Sequence, residues 1–516
     1  MTDRRPAGLQ ALALLALGAA CDGAPRSSPP PNRFGIRHVV LVSIDTLRAD
    51  RLGCYGYRIE GRSPSPRLDL LAAQSAVLER HFSAASTTLS SHTSLMTGTW
   101  PHTHGVPRNG FRVSDENLML AELLGAAGFL PACFLGAAPL SESVNFPQGF
   151  LHRDFRASRV ADRSPSGYQR RADEVTDAAL GWLDRRYGAA VDESLFLFVH
   201  YFDPHAPYEA PPPFAGLYRR AAPDESGRYP DPRSAEAPLL ARKLMGLDGM
   251  DGGPGDAALE SGFLAALERQ RPQQLTWARE LEAEYCAEIS FVDRELARLL
   301  DGLRERGVLD EALVVVTSDH GETLYEHTPL FSHGESVFDS EIHTPLILRF
   351  PGGRFAGVRS QHLVSNVDVA PSLLEALGLE LPARVEGVSF LGALEGGLAA
   401  REPVFAEATK PSQPEIFEQD PLWPNRRKFE CVSDGRHKLV RRTADGIRRL
   451  YDLQADPLEQ HDLLAAGTAF EERLGHELEL RLEAWRAAAA PLPSGPVDAV
   501  DQLEALRALG YLGDDR

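Results

Sequence analysis

The run HVVLVSI at positions 38–44, closed by Asp45, decides the fold class of this chain. It is β-branched or apolar almost throughout, with none of the alternation of a strand that keeps one face wet, so it predicts a strand buried on both faces of a parallel sheet. Two further runs behave alike. Leu195 to Phe202 delivers Asp203 and His205, and Leu313 to Thr317 delivers Ser318, Asp319 and His320. In open α/β sheets the carboxyl ends of the strands form the ligand crevice, so groups far apart in sequence converge there. Three strand ends carrying carboxylate or imidazole groups therefore point to an active site. Helical periodicity lies between them, over Arg67 to Leu78, Asp173 to Leu183 and Leu275 to Leu303, the last bounded by Gly307. The expected fold is α/β, with a large central mixed but mostly parallel sheet flanked by helices.

Beyond Leu381 the texture changes to short strand-like pieces, Pro403 to Ala406 and Arg436 to Arg441, followed by a helix over Phe470 to Ala487. This predicts a smaller α+β subdomain over 381–516 with an antiparallel sheet, ending in a short amphipathic helix over Leu503 to Leu512. Residues 34–380 form the predicted catalytic domain. Within it, residues 209–258, rich in Pro, Gly and charge, read as an insertion bordering the crevice, either a substrate-facing cap or a loop without function.

Residues 1–33 read as a leader and tether. Arg4 and Arg5 precede an apolar run from Leu9 to Ala20, too short to span a bilayer and suited to a secretory signal. Leu17-Gly18-Ala19-Ala20-Cys21 resembles a bacterial lipoprotein cleavage site, which implies export to the periplasm or cell envelope with a lipid on Cys21. The alternative is an ordinary cleaved signal. Ser27 to Pro31 suits an extended tether.

The 516 residues carry a formal net charge of −19. That balance argues against nucleic acid or a polybasic membrane surface as partner and leaves membrane contact to the lipidated Cys21. An anionic substrate would need a locally built positive site, which metal ions supply. Cys54, Cys133, Cys286 and Cys431 lack metal-finger spacing and read as buried small hydrophobes, with a Cys54–Cys133 disulfide conceivable in an exported protein. Oligomeric state leaves no trace in the sequence.

Thr87-Thr-Leu-Ser-Ser-His-Thr-Ser-Leu-Met-Thr-Gly98 reads as a helix N-terminus, whose free N–H groups and dipole favour anions and help ionise a hydroxyl. Alone it is no more than a capping sequence. Its setting changes that. Residues 38–57, HVVLVSIDTLRADRLGCYGY, resemble the opening block of bacterial sulfatases, whose first strand ends in a metal-binding Asp. TLSSHTSLMTG, 88–98, sits where that family has a Cys or Ser followed by x-Pro-x-Arg and ending in Thr-Gly, which puts Thr88 on the nucleophile, Ser90 on the Pro and His92 on the Arg. PHTHGV, 101–106, matches the following block and implies an active-site role for His104. HYFDPHAPY, 200–208, resembles the middle block, with His205 a substrate or second-metal residue. TSDHGETLYEH, 317–327, resembles the second metal block, and SHGESVFDSEIHTPLILRFPGG places His333 where the family has a catalytic Lys or His. The C-terminal HKLVRR…RRLYDLQADPLEQHDL is also similar to the family. The resemblance implies an alkaline phosphatase-like fold, a metal-dependent hydrolase and a small anionic ester as substrate.

Three departures alter the expected chemistry. Threonine cannot become formylglycine, because oxidising its secondary alcohol gives a ketone, so formylglycine is not expected. No Lys follows Gly128-Phe129, where the family's lysine block stands. The metal pairs are Asp45-Thr46 and Asp319-His320 instead of Asp-Asp and Asp-Asn, and imidazole nitrogen shifts the preference from calcium toward zinc or manganese, with one ion at least and room for a second. A threonine nucleophile held with Asp and Asp-His ligands is similar to nucleotide pyrophosphatases and phosphoethanolamine transferases. The resemblance thus implies metal at Asp45, Thr46, Thr88, Asp319 and His320, attack by Thr88, and proton donation or charge stabilisation by His333 or His205, while His92 either contacts substrate or caps its helix. Three activities stay open: a sulfate ester hydrolase, a phosphoester hydrolase or phosphotransferase, and a catalytically dead binding protein that keeps the fold.

Overall fold

The computed structural model describes residues 28–156, 169–220, 263–270, 272–327, 330–397, 403–409, 429–465 and 467–495. The leader with Cys21, residues 221–258 of the predicted insertion and the terminal helix over 503–512 lie outside the described residues.

The strands of the main sheet are β1 (His38–Ile44), β2 (Ala76–Phe82), β3 (Leu130–Phe134), β4 (His152–Asp154), β5 (Leu195–Tyr201), β6 (Ala312–Thr317), β7 (His343–Thr344), β8 (Leu346–Arg349) and β9 (Arg359–Ser365). They run in the order β4-β3-β5-β1-β6-β8-β2-β7, with β9 paired to β2. β1 lies parallel between β5 and β6, and β3 continues the parallel set beyond β5. Antiparallel pairs enter where β8 meets β6 and β2. The sheet is mixed and mostly parallel.

β1 shows why an unbroken apolar run was needed. Val40, Val42 and Ile44 belong to the core on one face, and Val39 and Leu41 to the core on the other. Successive side chains point to opposite faces, so both sets must be apolar. The first face is covered by α1 (Pro66–Ala73) through Leu68, while α2 (Thr88–Thr97) covers the second through Leu89, Leu95 and Met96. Two longer helices, α3 (Ala172–Tyr187) and α4 (Pro272–Glu305), join α1 on the first face. Of these α4 also reaches the crevice: Tyr285 donates its hydroxyl to the Thr46 carbonyl at 2.8 Å and accepts the Arg48 amide at 3.1 Å, fixing the turn that follows Asp45.

Two expectations are corrected. The helical pattern over Arg67 to Leu78 spans two elements, α1 ending at Ala73 and β2 beginning at Ala76. Leu68, Leu71 and Ala72 keep helical spacing, but Ala76, Val77 and Leu78 are consecutive and all buried, in a strand covered on both faces. Cys54 and Cys133 are free thiols. Cys54 packs at the edge of the core on one face of the sheet and Cys133 lies in the core on the other, so the sheet itself separates them.

A second, antiparallel sheet is formed by β10 (Val404–Ala408), β11 (Phe429–Ser433), β12 (His437–Arg442) and β13 (Arg448–Asp452), in that order. α5 (Ala469–Ala487) packs Leu478, Leu482 and Trp485 against Val432, Leu439 and Leu450 of its outer face. Its inner face meets the larger body. There Lys438, fully buried, pairs with Asp339 at 2.8 Å and Glu459 at 2.9 Å. The amide of Glu407 in β10 donates to the Ala84 carbonyl at 3.0 Å, and Ala85 bridges Glu407, so the second sheet grips the segment that leads into α2.

Candidate functional site

Parallel pairing sets the site. Ser43 in β1 is in register with His200 in β5 and with Thr317 in β6, so the chain leaves all three strands at one level. Asp45 emerges from β1 and Asp319 and His320 from β6. One ligand atom from each of these three lies within 4.8 Å of the others. His320 Nε2 is 3.4 Å from Asp319 Oδ2 and 3.9 Å from Asp45 Oδ1. Its Nδ1 donates to the Gly321 carbonyl at 2.8 Å, which puts the ring proton there and leaves a bare lone pair on Nε2 facing the two carboxylates.

Thr88 opens α2. Its Oγ1 is 3.4 Å from His320 Nε2. The Ser/Thr-rich sequence is not spent on capping, since the residue before the helix, Thr87, makes no side-chain cap bond. α2 is wholly buried, and its hydroxyls bind the surroundings instead. Ser91 donates to the Asp319 carbonyl at 2.6 Å, Ser90 to the Val106 carbonyl at 2.7 Å, and Thr93 and Thr97 to carbonyls one turn back. Ser91 thus ties the helix that carries Thr88 to the loop that carries Asp319.

Five buried polar atoms of this site lack a partner. Both oxygens of Asp45, Oδ2 of Asp319, the hydroxyl of Thr46 and Nε2 of His200 are buried without a hydrogen-bond partner. Burial, then the charges of Asp319 and Glu322, push the Asp45 carboxyl well above the carboxylate range. Burial would raise Asp319 too, but His320, His92 and His200 around it hold it below its ordinary value. Buried unpaired carboxylates are costly, and a divalent cation held by two carboxylate oxygens and one imidazole nitrogen removes the cost. The residues present fit such an ion. Thr46 joins through its backbone, the amide donating to Asp319 Oδ1 at 3.3 Å beside the His320 amide at 2.9 Å. Its φ of 54° turns the chain sharply after Asp45.

The other predicted residues divide. His92 is in the cluster, but facing inward: Nδ1 donates to the Thr88 carbonyl at 2.8 Å, Nε2 accepts from Ser43 at 2.8 Å, and the ring lies 3.6 Å from Asp319 Oδ2. Burial lowers its pKa, and with both ring nitrogens engaged the ring is a strut between α2 and β1. His205 and His333 lie beside the cluster. His205 stacks on Phe202 with centroids 4.3 Å apart and donates from Nδ1 to the Ala206 carbonyl at 2.7 Å, and its ring is 4.9 Å from that of His333. The His333 ring is 4.5 Å from His320, and its Nδ1 meets Glu322 Oε1 at 3.2 Å. His104 is not brought to this cluster. Its Nε2 bonds Ser94 at 3.0 Å and its Nδ1 accepts the Val106 amide at 3.1 Å, so it braces the far half of α2. His102 packs on Trp485, and His327 stacks on Phe338 and reaches the Leu458 carbonyl.

Sequence reasoning missed three residues. Glu322 is buried between His333 and Tyr208, whose hydroxyl donates to it. His200 stands within β5, where a lone imidazole among apolar residues looks like core; its pairing with Ser43 across from β1 was the available signal. Asn109 accepts the amide of Leu89, next to Thr88, at 2.7 Å, and its buried Nδ2 has no partner. Asn109-Gly110 reads as an ordinary turn, and no sequence signal marked it.

Residues 37–379 match the sulfatase family model, and residues 331–488 match a model described as the C-terminal part of N-sulphoglucosamine sulphohydrolase. A multifunctional alkaline phosphatase superfamily protein of Trinickia caryophylli is 26% identical over 423 residues, covering 70% of this chain and 77% of that one. An N-acetylglucosamine-6-O-sulfatase of Bacteroides thetaiotaomicron is 21% identical over 88% of this chain and 86% of its own. Among solved structures, the phosphonate monoester hydrolase of Agrobacterium radiobacter superposes with a TM-score of 0.65 at 23% identity, covering 88% of this chain and 96% of that one.

Proposed function

Since the chain belongs to the sulfatase family, we propose that it is a divalent-metal-dependent hydrolase of small anionic esters in which Thr88 itself is the nucleophile. The observation that carries this is the Thr88 hydroxyl, 3.4 Å from the bare Nε2 of His320, beside the unpaired oxygens of Asp45 and Asp319.

Asp45, Asp319 and His320 would hold the cation, with zinc or manganese suited to the imidazole in the set and calcium the alternative. When bound there, the cation supplies positive charge that favours an ionised hydroxyl and offsets charge on the substrate's oxygens. Thr88 gives its proton to water, and its Oγ1 attacks the phosphorus or sulfur centre as the bond to the leaving oxygen breaks. The α2 N-terminus, and the unpaired Nδ2 donor of Asn109, whose Oδ1 holds the Leu89 amide, would stabilise the oxygens that gain charge. Glu322, beside Nδ1 of His333, compensates an imidazolium, so His333 can donate from Nε2 to the departing oxygen. Water then cleaves the covalent threonine ester, its proton returning to Thr88.

Phosphorus esters are favoured over sulfate esters. A threonine phosphate can be hydrolysed at phosphorus, whereas a threonine sulfate lacks the elimination that a hydrated aldehyde would provide. The sulfate reading keeps support from the family and from the sulfatase of Bacteroides thetaiotaomicron named above. Parallel assays on a phosphate monoester, a phosphodiester, a phosphonate monoester and an aryl sulfate with Zn²⁺, Mn²⁺ or Ca²⁺ separate the two. Turnover of phosphorus esters with a trapped phosphothreonine at position 88 is the expected result; turnover of aryl sulfate alone, supported by Ca²⁺ alone, would overturn the phosphorus preference. Activity that survives Thr88→Ala would remove the nucleophile assignment.

A further inference from the structure

Three imidazoles crowd the buried side of the site, and the backbone fixes the proton on Nδ1 in two of them and on Nε2 in the third. His320 donates from Nδ1 to Gly321, and His92 donates from Nδ1 to Thr88, so each presents Nε2 as an acceptor. His200 is the opposite case. Its Nδ1 lies 3.3 Å from the Gly136 amide and can only accept from that N–H. A nitrogen that accepts carries no proton, so the ring proton of His200 stands on Nε2. That nitrogen is fully buried, has no hydrogen-bond partner and lies 3.4 Å from Asp45 Oδ2. The other Asp45 oxygen, Oδ1, faces His320.

We propose that His200 is a positioning residue for the metal centre: its Nε2–H lies 3.4 Å from Asp45 Oδ2 without bonding it in the metal-free chain, and takes up that oxygen when Oδ1 is given to the cation. The assignment rests on the metal reading of Asp45, Asp319 and His320. Outer groups that orient a ligand carboxylate typically change metal affinity by about 10–100-fold. Three local features make His200 suited to the task. Its β5 position, opposite Ser43, places it one strand from Asp45 with both backbones locked in the parallel ladder. Asp45 is itself pinned, its amide donating to the Tyr201 carbonyl at 2.9 Å, so the carboxylate has little freedom beyond rotation. Residue 136 is glycine, and a Cβ there would stand 2.8 Å from both the His200 carbonyl and the Phe202 amide. Only glycine lets the amide at 136 approach closely enough to set the tautomer.

A ligand role for His200 is the rival explanation. It would require Nε2 to lose its proton and Nδ1 to gain one, which turns the Gly136 contact into two facing N–H groups.

The test is a titration of the metal-depleted full chain with Mn²⁺, read by calorimetry, for wild type and for His200→Leu, His200→Gln and His200→Asn. Gln places an N–H donor near the former Nε2, whereas Asn places its amide nearer Nδ1. The expected result is Mn²⁺ affinity reduced about 10–100-fold in His200→Leu and His200→Asn, near wild type in His200→Gln, with the visible spectrum of the Co²⁺ form of His200→Gln unchanged. Wild-type affinity in His200→Leu overturns the proposal, as does His200→Gln binding as weakly as His200→Asn, and an altered Co²⁺ spectrum in His200→Gln would mark His200 as a ligand. Should His200→Leu not fold, the Gln and Asn variants still decide the outcome. A wild-type chain that binds no divalent cation overturns the metal reading and this inference together, which sets that result apart from failure of the His200 assignment alone.

Discussion

Asp45→Asn should act in opposite directions with and without metal. In the metal-free chain Asp45 is buried, both its oxygens lack partners, and burial together with the charges of Asp319 and Glu322 raises its pKa well above the ordinary carboxylate value. The folded state can avoid an uncompensated charge by keeping Asp45 protonated. At pH 7 that costs at most about 4 kcal/mol, the free energy of holding a proton on a group whose unfolded pKa is about 3.9. Asparagine removes this cost and offers N–H donors to carboxylates nearby. The metal-free variant should therefore be more stable than wild type by about 1–4 kcal/mol near neutrality. The sign with pH follows from the raised pKa. The folded protein binds more protons than the unfolded one, so wild-type stability is fully present below pH 4 and falls as pH rises toward the folded pKa. The advantage of Asp45→Asn should accordingly vanish near pH 4 and grow upward. With Mn²⁺ at 100 times its Kd the wild type gains about 2.7 kcal/mol, while the variant, lacking a ligand, gains little. Urea unfolding at pH 4.5 and 7.5, with chelator and with Mn²⁺, measures all four combinations. A metal-free Asp45→Asn less stable than wild type at pH 7.5, or an advantage that does not change with pH, would refute the argument.

Other substitutions separate chemistry from architecture. Thr88→Ala should lower kcat by about 10³-fold or more, with folding and Mn²⁺ binding retained, as measured by steady-state kinetics and calorimetry. Glu322→Gln should reduce kcat about 10²-fold for an ester with an alkyl leaving group and far less for a p-nitrophenyl ester, whose leaving oxygen needs no proton; equal losses on both would remove His333 from the acid role. Lys438→Met should destabilise the chain by about 3–5 kcal/mol in urea unfolding, because Asp339 and Glu459 would be left buried beside one another without their cation.

The parts of the fold that could be read from sequence are those in which one physical demand dominates. β1, β5 and β6 must be apolar on both sides, and their burial leaves no alternative to the run that each shows. β2 was hidden because α1 stops only two residues before it, and Leu68, Leu71 and Ala72 lead without a Gly or Pro into Ala76-Val77-Leu78, so helical spacing passes into a buried strand unannounced. At the site, Asp45, Asp319 and His320 could be found because they follow strands, where side chains have no packing role to disguise them. His200 and Asn109 could not. One sits inside a strand and the other in a turn, and their importance lies in hydrogen-bonding capacity left over after the backbone is satisfied. His104 is the converse case: its neighbours in sequence resemble an active-site block, while both its ring nitrogens are engaged by Ser94 and Val106.

The grip of β10 on Ala84 and Ala85 bears on how the chain is made. The proposed metal ligands and Thr88 all lie before residue 321, yet the segment that carries Thr88 into place is hydrogen-bonded to Glu407. A nascent chain would therefore expose its carboxylates and imidazole long before Thr88 is seated, and competence would arrive only with the last quarter of synthesis. A chain truncated before Val404 should collect metal yet turn over little substrate, which couples hydrolytic activity to completion of the polypeptide.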